Sequence, residues 1–189
     1  MSLKIKILIG ILVVSNLFAY FFLVNKWNND LLPPATVHTD DAINAAAKKE
    51  IGLSYLENRD SILRVVTYPV LVYRYAQDNC GSCISEDLSE LRIFQDEVAK
   101  GKIFILPAHE ENQQNRIALA NQLADLEYKN MPASLLVLPK DKDGFTQRYF
   151  ALIDNKGNLG EVHFPERGNT AATKAYFQRV KGYFNSVNY

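Results

Sequence analysis

Between Pro69 and Glu97 the chain reads PVLVYRYAQDNCGSCISEDLSELRIFQDE, and the order of residue types there leaves few ways to fold. Val70, Leu71, Val72, Tyr73 and Tyr75 are aliphatic, β-branched or aromatic, as a strand covered on both faces requires. After the cysteines, Ile84, Leu88, Leu91, Phe94 and Val98 recur at the three-to-four spacing of one helix face. Glu86, Asp87, Glu90, Gln95 and Asp96 are assigned to the opposite, solvated face. The stretch therefore predicts strand, turn and helix, with Cys80-Gly81-Ser82-Cys83 at the junction.

Composition narrows the classes of function. The 189 residues carry 21 Lys and Arg against 21 Asp and Glu, spread along the chain rather than clustered. A nucleic-acid surface needs a basic patch to neutralise phosphates, so no nucleic-acid partner is expected. Two cysteines are too few for a disulfide framework, and both lie in one CxxC, which points to redox or metal chemistry.

The first segment has a different character. Ile5 to Val24 is apolar except for Lys6, Ser15 and Asn16. As a helix it would be roughly 30 Å long, enough to cross the hydrocarbon core of a bilayer. Lys4 and Lys6 precede the main run, which predicts an amino terminus in the cytosol and the rest of the chain outside. A cleaved signal peptide is the competing reading. It fits less well because Phe21, Phe22 and Leu23 follow Ala19 where small residues would be expected. The expected organisation is an uncleaved signal anchor over residues 1–27, a linker over 28–41 stiffened by Pro33-Pro34, a helical extension over 42–67, and a domain over 68–189.

Within the extension, Asp40 or Asp41 can cap a helix that carries Ile43, Ala47, Ile51 and Tyr55 as a stripe. Asn58 to Ser61 reads as a turn, with Ile62 to Val66 a short strand or helix. Beyond the opening unit, Lys102 to Pro107 reads as a second buried strand. Ile117, Leu119, Ala120, Leu123, Ala124 and Leu126 give a second amphipathic helix. Leu135 to Leu138 is a short apolar run between Pro132 and Pro139, followed by a charged loop, Lys140 to Gly144. Tyr149 to Asp154 and Leu159 to Phe164 predict a hairpin, with Gly157 suited to a left-handed turn position. Thr170 or Asn169 opens a last helix whose apolar side is Ala172, Ala175, Tyr176, Val180 and Tyr183.

A βαβ unit followed by ββα, with CxxC at the first strand-to-helix junction, resembles the thioredoxin-like superfamily. VLVYRYAQDNCGSC is similar to that family's strand leading into its active-site turn, and FALIDNKGNL to its hairpin. The closest resemblance in type is to membrane-anchored thiol–disulfide oxidoreductases of the bacterial envelope. It implies an α/β fold, a mixed central sheet flanked by helices, preceded by one transmembrane helix. It also implies a single-pass protein of the inner (cytoplasmic) membrane with its domain in the periplasm and no cofactor. The partners would be thiol- or disulfide-bearing envelope proteins, a membrane or periplasmic electron donor, and the bilayer itself through Ile5–Val24.

By that resemblance Cys80 attacks and Cys83 resolves. Two intervening residues at a helix start bring the sulfurs within bridging distance, and free N–H groups with the helix dipole favour a thiolate on Cys80. Gly81 lets a partner chain approach, and Ser82 can cap the helix. The pattern departs from the family at three places. Asn79 stands where thioredoxins commonly have Trp. Asp78, Glu86 and Asp87 add negative charge that opposes a Cys80 thiolate, so a mild acid suited to a reductant or isomerase is expected. Counting back from Gly157 puts Arg148 where the family places a cis-proline, and a trans bond is expected there. Pro132 is the other candidate for that position, so Gln147, Arg148 and Pro132 join Gly81 and Ser82 as substrate-groove candidates. No charged residue is placed under the dithiol.

Two alternatives remain open. A zinc site of Cys80, Cys83, His109 and His163 is conceivable but lacks the paired short spacings of zinc modules, so no metal is expected. The other is a thioredoxin-like binding module, catalytically weak or inactive, in which Cys80 and Cys83 form a structural disulfide.

Overall fold

A computed structural model describes residues 37–187. The expected anchor, Ile5–Val24, lies outside the described residues, and among these no helix is long and apolar enough to cross a membrane. Helix α1 spans Val37–Leu63, β1 Val70–Ala76, α2 Gly81–Gln95, β2 Ile103–Ala108 and α3 Gln113–Gln122. The hairpin β3 (Tyr149–Ile153) and β4 (Leu159–His163) follows, then α4, Thr170–Val187. The four strands form one mixed sheet in the order β2-β1-β3-β4. β1 pairs parallel with β2 and antiparallel with β3, and β3 pairs antiparallel with β4. This is an α/β fold with helices on both sides of the sheet, compatible with a thioredoxin-like arrangement.

Alternation along β1 explains the two layers, because successive side chains of a strand point to opposite faces. Leu71, Tyr73 and Tyr75 face a core with Ile84, Leu88 and Leu91 of α2 and Tyr176, Phe177 and Val180 of α4. Val70 and Val72 face the other core, with Ile51, Tyr55 and Ile62 of α1 and with Met131 and Leu136. All seven β1 residues are buried, and each fully buried aliphatic or aromatic side chain contributes about 1.5–3 kcal/mol.

Several local expectations change. α1 begins at Val37, inside the expected linker, and runs unbroken through the expected turn at Asn58–Ser61. Those polar residues serve the helix instead. Asn58 Nδ2 donates to Ser54 O one turn back, and Arg59 reaches the β3–β4 turn, donating from Nε to Gly157 O (2.9 Å) and from Nη2 to Lys156 O (2.9 Å). Tyr55 Oη also donates to Gly157 O. Gly157 has φ +69°, and a Cβ there would lie 2.9 Å from Leu63 Cδ1, so α1 and the turn require glycine.

The second amphipathic helix is shorter than its apolar pattern. Chain leaves the helix after Gln122, Leu123 and Leu126 pack beyond its end, and Ile117 is 55 % exposed. The buried side of α4 is Thr173, Tyr176, Phe177, Val180 and Phe184, one position round from the expected alanines.

Leu135–Leu138 forms no strand, and one of its carbonyls is taken by Arg74. Its side chain is fully buried on the α1 face. It donates from Nε to Leu136 O, from Nη1 to Leu106 O, Pro107 O and Met131 O, and from Nη2 to Pro132 O. Within the run, side chains thus take two carbonyls that a strand would have offered to a neighbour, Arg74 that of Leu136 and Tyr149 that of Val137. Burial pulls the Arg74 guanidinium down to about 10, and five carbonyl bonds offset the cost of hiding its charge.

Candidate functional site: the dithiol turn and the polar cluster behind it

β1 ends at Ala76, and a tight turn delivers Cys80 to the amino end of α2. Asn79 closes the turn by accepting from Ala76 N through Oδ1 (2.8 Å). Cys80 is the N-cap residue, with Ile84 N donating to its carbonyl at 3.0 Å. Its thiol is exposed, whereas Cys83, inside the first turn of α2, is buried, and both are free. The space above Gly81 is open. The N-cap side chain, Cys80, makes no capping bond, and Ser82 Oγ lies 3.1 Å from Cys80 Sγ.

The two thiols are driven apart. Hydrogen bonds from Cys83 and then Ser82 stabilise the Cys80 thiolate and pull its pKa down to about 6. Burial, with the hydrogen bond to Cys80 second, pushes Cys83 up. Of the three acids expected to oppose a Cys80 thiolate, Asp78 and Asp87 are engaged elsewhere, while Glu86 is half-buried on α2. Asp78 Oδ2 accepts from Thr146 Oγ1 (2.8 Å), and Asp87 turns inward.

Asp87 is the main correction to the helix. It is buried rather than solvated, one turn beyond Cys83 on α2. Its Oδ2 accepts from Tyr73 Oη (2.6 Å) and from Arg148 Nε (2.5 Å). Burial pushes the Asp87 carboxyl up, against the pull of both donors. Burial also works against the Arg148 charge, but the hydrogen bond and charge of Asp87 outweigh it and raise the guanidinium. A carboxylate oxygen accepting two donors, one a guanidinium, is the pattern of an ionised pair.

The bond before Arg148 is trans, as expected, and among the described residues the sole cis peptide is Tyr68–Pro69. The Arg148 side chain is 14 % exposed, and its Nη2 is buried with no hydrogen-bond partner. Gln147 beside it donates its backbone N–H to Pro139 O, while its Oε1 is buried without a partner. The structure thus brings Arg148 to the dithiol helix through Asp87, with Gln147 next to it in the chain. Pro132 is placed elsewhere, in the carbonyl cage of Arg74 on the α1 face.

His109 and His163 are packed against aromatic side chains. His163 stacks on Tyr176 and Phe150 and bonds to Thr173 Oγ1, and His109 packs edge-on against Tyr75. Among the described residues no group of three or more His, Cys, Asp or Glu side chains could hold a metal ion.

Tyr73, Asp87 and the bond from Asn79 Nδ2 to Thr146 O, which ties the turn to the 140–147 loop, were not among the expected site features. Asp87 carried one available signal, its i, i+4 spacing from Cys83. The chain matches no protein-family model and no curated protein.

Proposed function

We propose that this chain is a thioredoxin-like thiol–disulfide exchange protein acting through Cys80 and Cys83. The observation that carries the reading is the division of the pair: an exposed thiol at the amino end of α2 and a buried one inside the same turn. The low pKa of Cys80 supports it, since the thiolate is the nucleophile. The sheet order, with the CxxC directly after β1, supports the thioredoxin-like assignment.

In the exchange, the Cys80 thiolate attacks one sulfur of a partner's disulfide. The partner's S–S bond breaks, and one partner thiolate leaves. Cys83 then loses its proton and attacks Cys80 Sγ, releasing the second partner sulfur as a thiolate. Two electrons pass from the dithiol to the partner, leaving a Cys80–Cys83 disulfide that a separate dithiol donor must reduce. Ile5–Val24 would tether the domain on the outer side of the cytoplasmic membrane, among envelope proteins whose cysteines are oxidised.

The test is trapping with the full-length chain in its membrane. Cys83→Ser should accumulate mixed disulfides on Cys80, visible on non-reducing gels, and Cys80→Ser should accumulate none. Equal partner capture by both variants would instead indicate a binding module with a structural disulfide.

A further inference from the structure

The cluster behind the dithiol has an arrangement that packing alone does not require. Cys83 and Asp87 are one helical turn apart on the buried side of α2, where side chains at i and i+4 are neighbours. Arg148 is anchored on Asp87 by its Nε edge, and Tyr73 fixes the same carboxylate oxygen from β1. The guanidinium's Nη2 is left buried and unpartnered, an arrangement that costs stability unless something uses it.

We infer that Arg148 is the positioning residue for the second half of the exchange, its anchored guanidinium supplying the positive charge against which buried Cys83 becomes a thiolate. The inference rests on the exchange reading above and assigns the residue that favours its second step. In the mixed disulfide, Cys80 no longer offers a thiolate, and Cys83 must ionise inside the protein to attack Cys80 Sγ. Burial opposes that ionisation, and the charge of Arg148 favours it.

The charged and titratable groups around Cys83 are few. On α2 they are Cys80, Asp87 and Glu86, the last of these three residues beyond Cys83 and half-buried. Tyr73 comes from β1, Arg148 precedes β3, and Arg167 lies ahead of α4. Arg167 also favours the Cys83 thiolate, but it is exposed and screened by water. Arg148 is therefore the cation whose loss should be felt. The ion pair predicts opposite signs for its two halves. Removing Arg148 deletes the attraction and leaves a bare carboxylate nearby. Removing the Asp87 charge leaves the guanidinium uncompensated beside Cys83.

Reaction of the full-length protein with dithiobis(nitrobenzoate) separates the two steps. Cys80 displaces one nitrothiobenzoate anion, and Cys83 then displaces the second from Cys80 Sγ, closing the disulfide as two electrons pass to the reagent. Followed against pH, the second release should rise to a plateau with a midpoint set by Cys83. Arg148→Gln should raise that midpoint by about one pH unit and slow the second release about tenfold below it. Arg148→Lys should restore most of the rate. Asp87→Asn, which keeps an oxygen for Tyr73 and Arg148, should lower the midpoint, and it decides the matter if Arg148→Gln does not fold.

An unchanged midpoint in Arg148→Gln, or a Lys variant as slow as the Gln variant, would overturn the proposal. So would a slower second release in Asp87→Asn, which would make Asp87 a proton acceptor instead. Absence of the first release in the wild-type protein would overturn the exchange reading itself.

Discussion

Asn79 Nδ2 donates to the carbonyl oxygen of Thr146 at 2.6 Å, so the residue immediately before Cys80 is bonded directly to the loop that leads into β3. Thr146 Oγ1 adds a bond to Asp78 at 2.8 Å. The loop is shaped on its own side by Asp141 Oδ1, which accepts from Asp143 N and Phe145 N, and by the bridge between Lys140 and Thr146. Phe145, 70 % exposed, is therefore held on a fixed hairpin beside the dithiol turn. Asn79→Ala removes both the turn closure and the tie. It should cost about 1–2 kcal/mol and speed amide exchange at Thr146 and Phe145, with little change in β3 itself. Exchange mass spectrometry over 140–148 checks this; unaltered protection there would rule out the tie.

Cys80 should titrate early. With its pKa pulled down to about 6 by Cys83 and Ser82, its alkylation rate should climb about tenfold per pH unit below that value and level off above it. Ser82→Ala removes the second of the two donors and should move the midpoint upward. Iodoacetamide labelling followed by mass spectrometry reads both. A midpoint near the ordinary thiol value of about 8.5 would mean the turn does not activate Cys80.

Arg74 holds the irregular segment from Met131 to Leu136 against the sheet through carbonyls alone. Arg74→Met keeps much of the side chain's bulk but strands the buried Met131 and Leu136 carbonyls, whereas Pro132 O keeps Leu135 N as a donor. At about 1–3 kcal/mol for each acceptor truly stranded, and with some rescued by water, a net loss of about 3–5 kcal/mol is expected. Urea denaturation of the variant should show it, and a loss under about 1 kcal/mol would mean that water replaces the guanidinium fully.

The α1 latch gives a smaller effect with a clear cause. Gly157→Ala places a Cβ at φ +69° and 2.9 Å from Leu63 Cδ1. Strain of this kind costs about 1–3 kcal/mol. Tyr55→Phe, which removes only the hydroxyl bond to Gly157 O, should cost about 1 kcal/mol. Equal denaturation midpoints for wild type and Gly157→Ala would show that α1 yields freely at the turn.

What could be read from the sequence follows the reach of periodicity. Val70 to Tyr75, the Ile84–Phe94 face and the hairpin around Gly157 each announce themselves within a dozen residues, and those elements form as expected. The misplaced features depend on partners far along the chain. Asp87 looked solvated because carboxylates usually are, and its burial is made tolerable by Tyr73 and by Arg148, 61 residues away. Arg74 interrupted an apolar strand, and nothing local indicated that the carbonyls of Met131, Pro132 and Leu136 would receive it. Asn58 and Ser61 have turn composition, yet Arg59 between them and Ile62 just after have contacts that keep the helix going. The cysteine spacing identified the turn, but not the cluster behind it.

His109 shows how such a buried group feeds into pH dependence. Both ring nitrogens are buried with no hydrogen-bond partner, and burial lowers its pKa from the ordinary histidine value. His163 is lowered by burial as well. For a base whose folded pKa lies below its unfolded one, the unfolded chain binds protons first. The stability it contributes is whole above the unfolded value of about 6.5 and is lost as pH falls from there through the folded value. The urea midpoint should therefore drop between about pH 7.5 and about pH 5.5. His109→Phe fills the same space against Tyr75 with a ring that needs neither a proton nor partners. It should raise stability at neutral pH by about 1 kcal/mol and remove part of the acid loss, the remainder belonging to His163. A variant with an undiminished acid slope would show that His109 finds a proton-stabilising partner in solution.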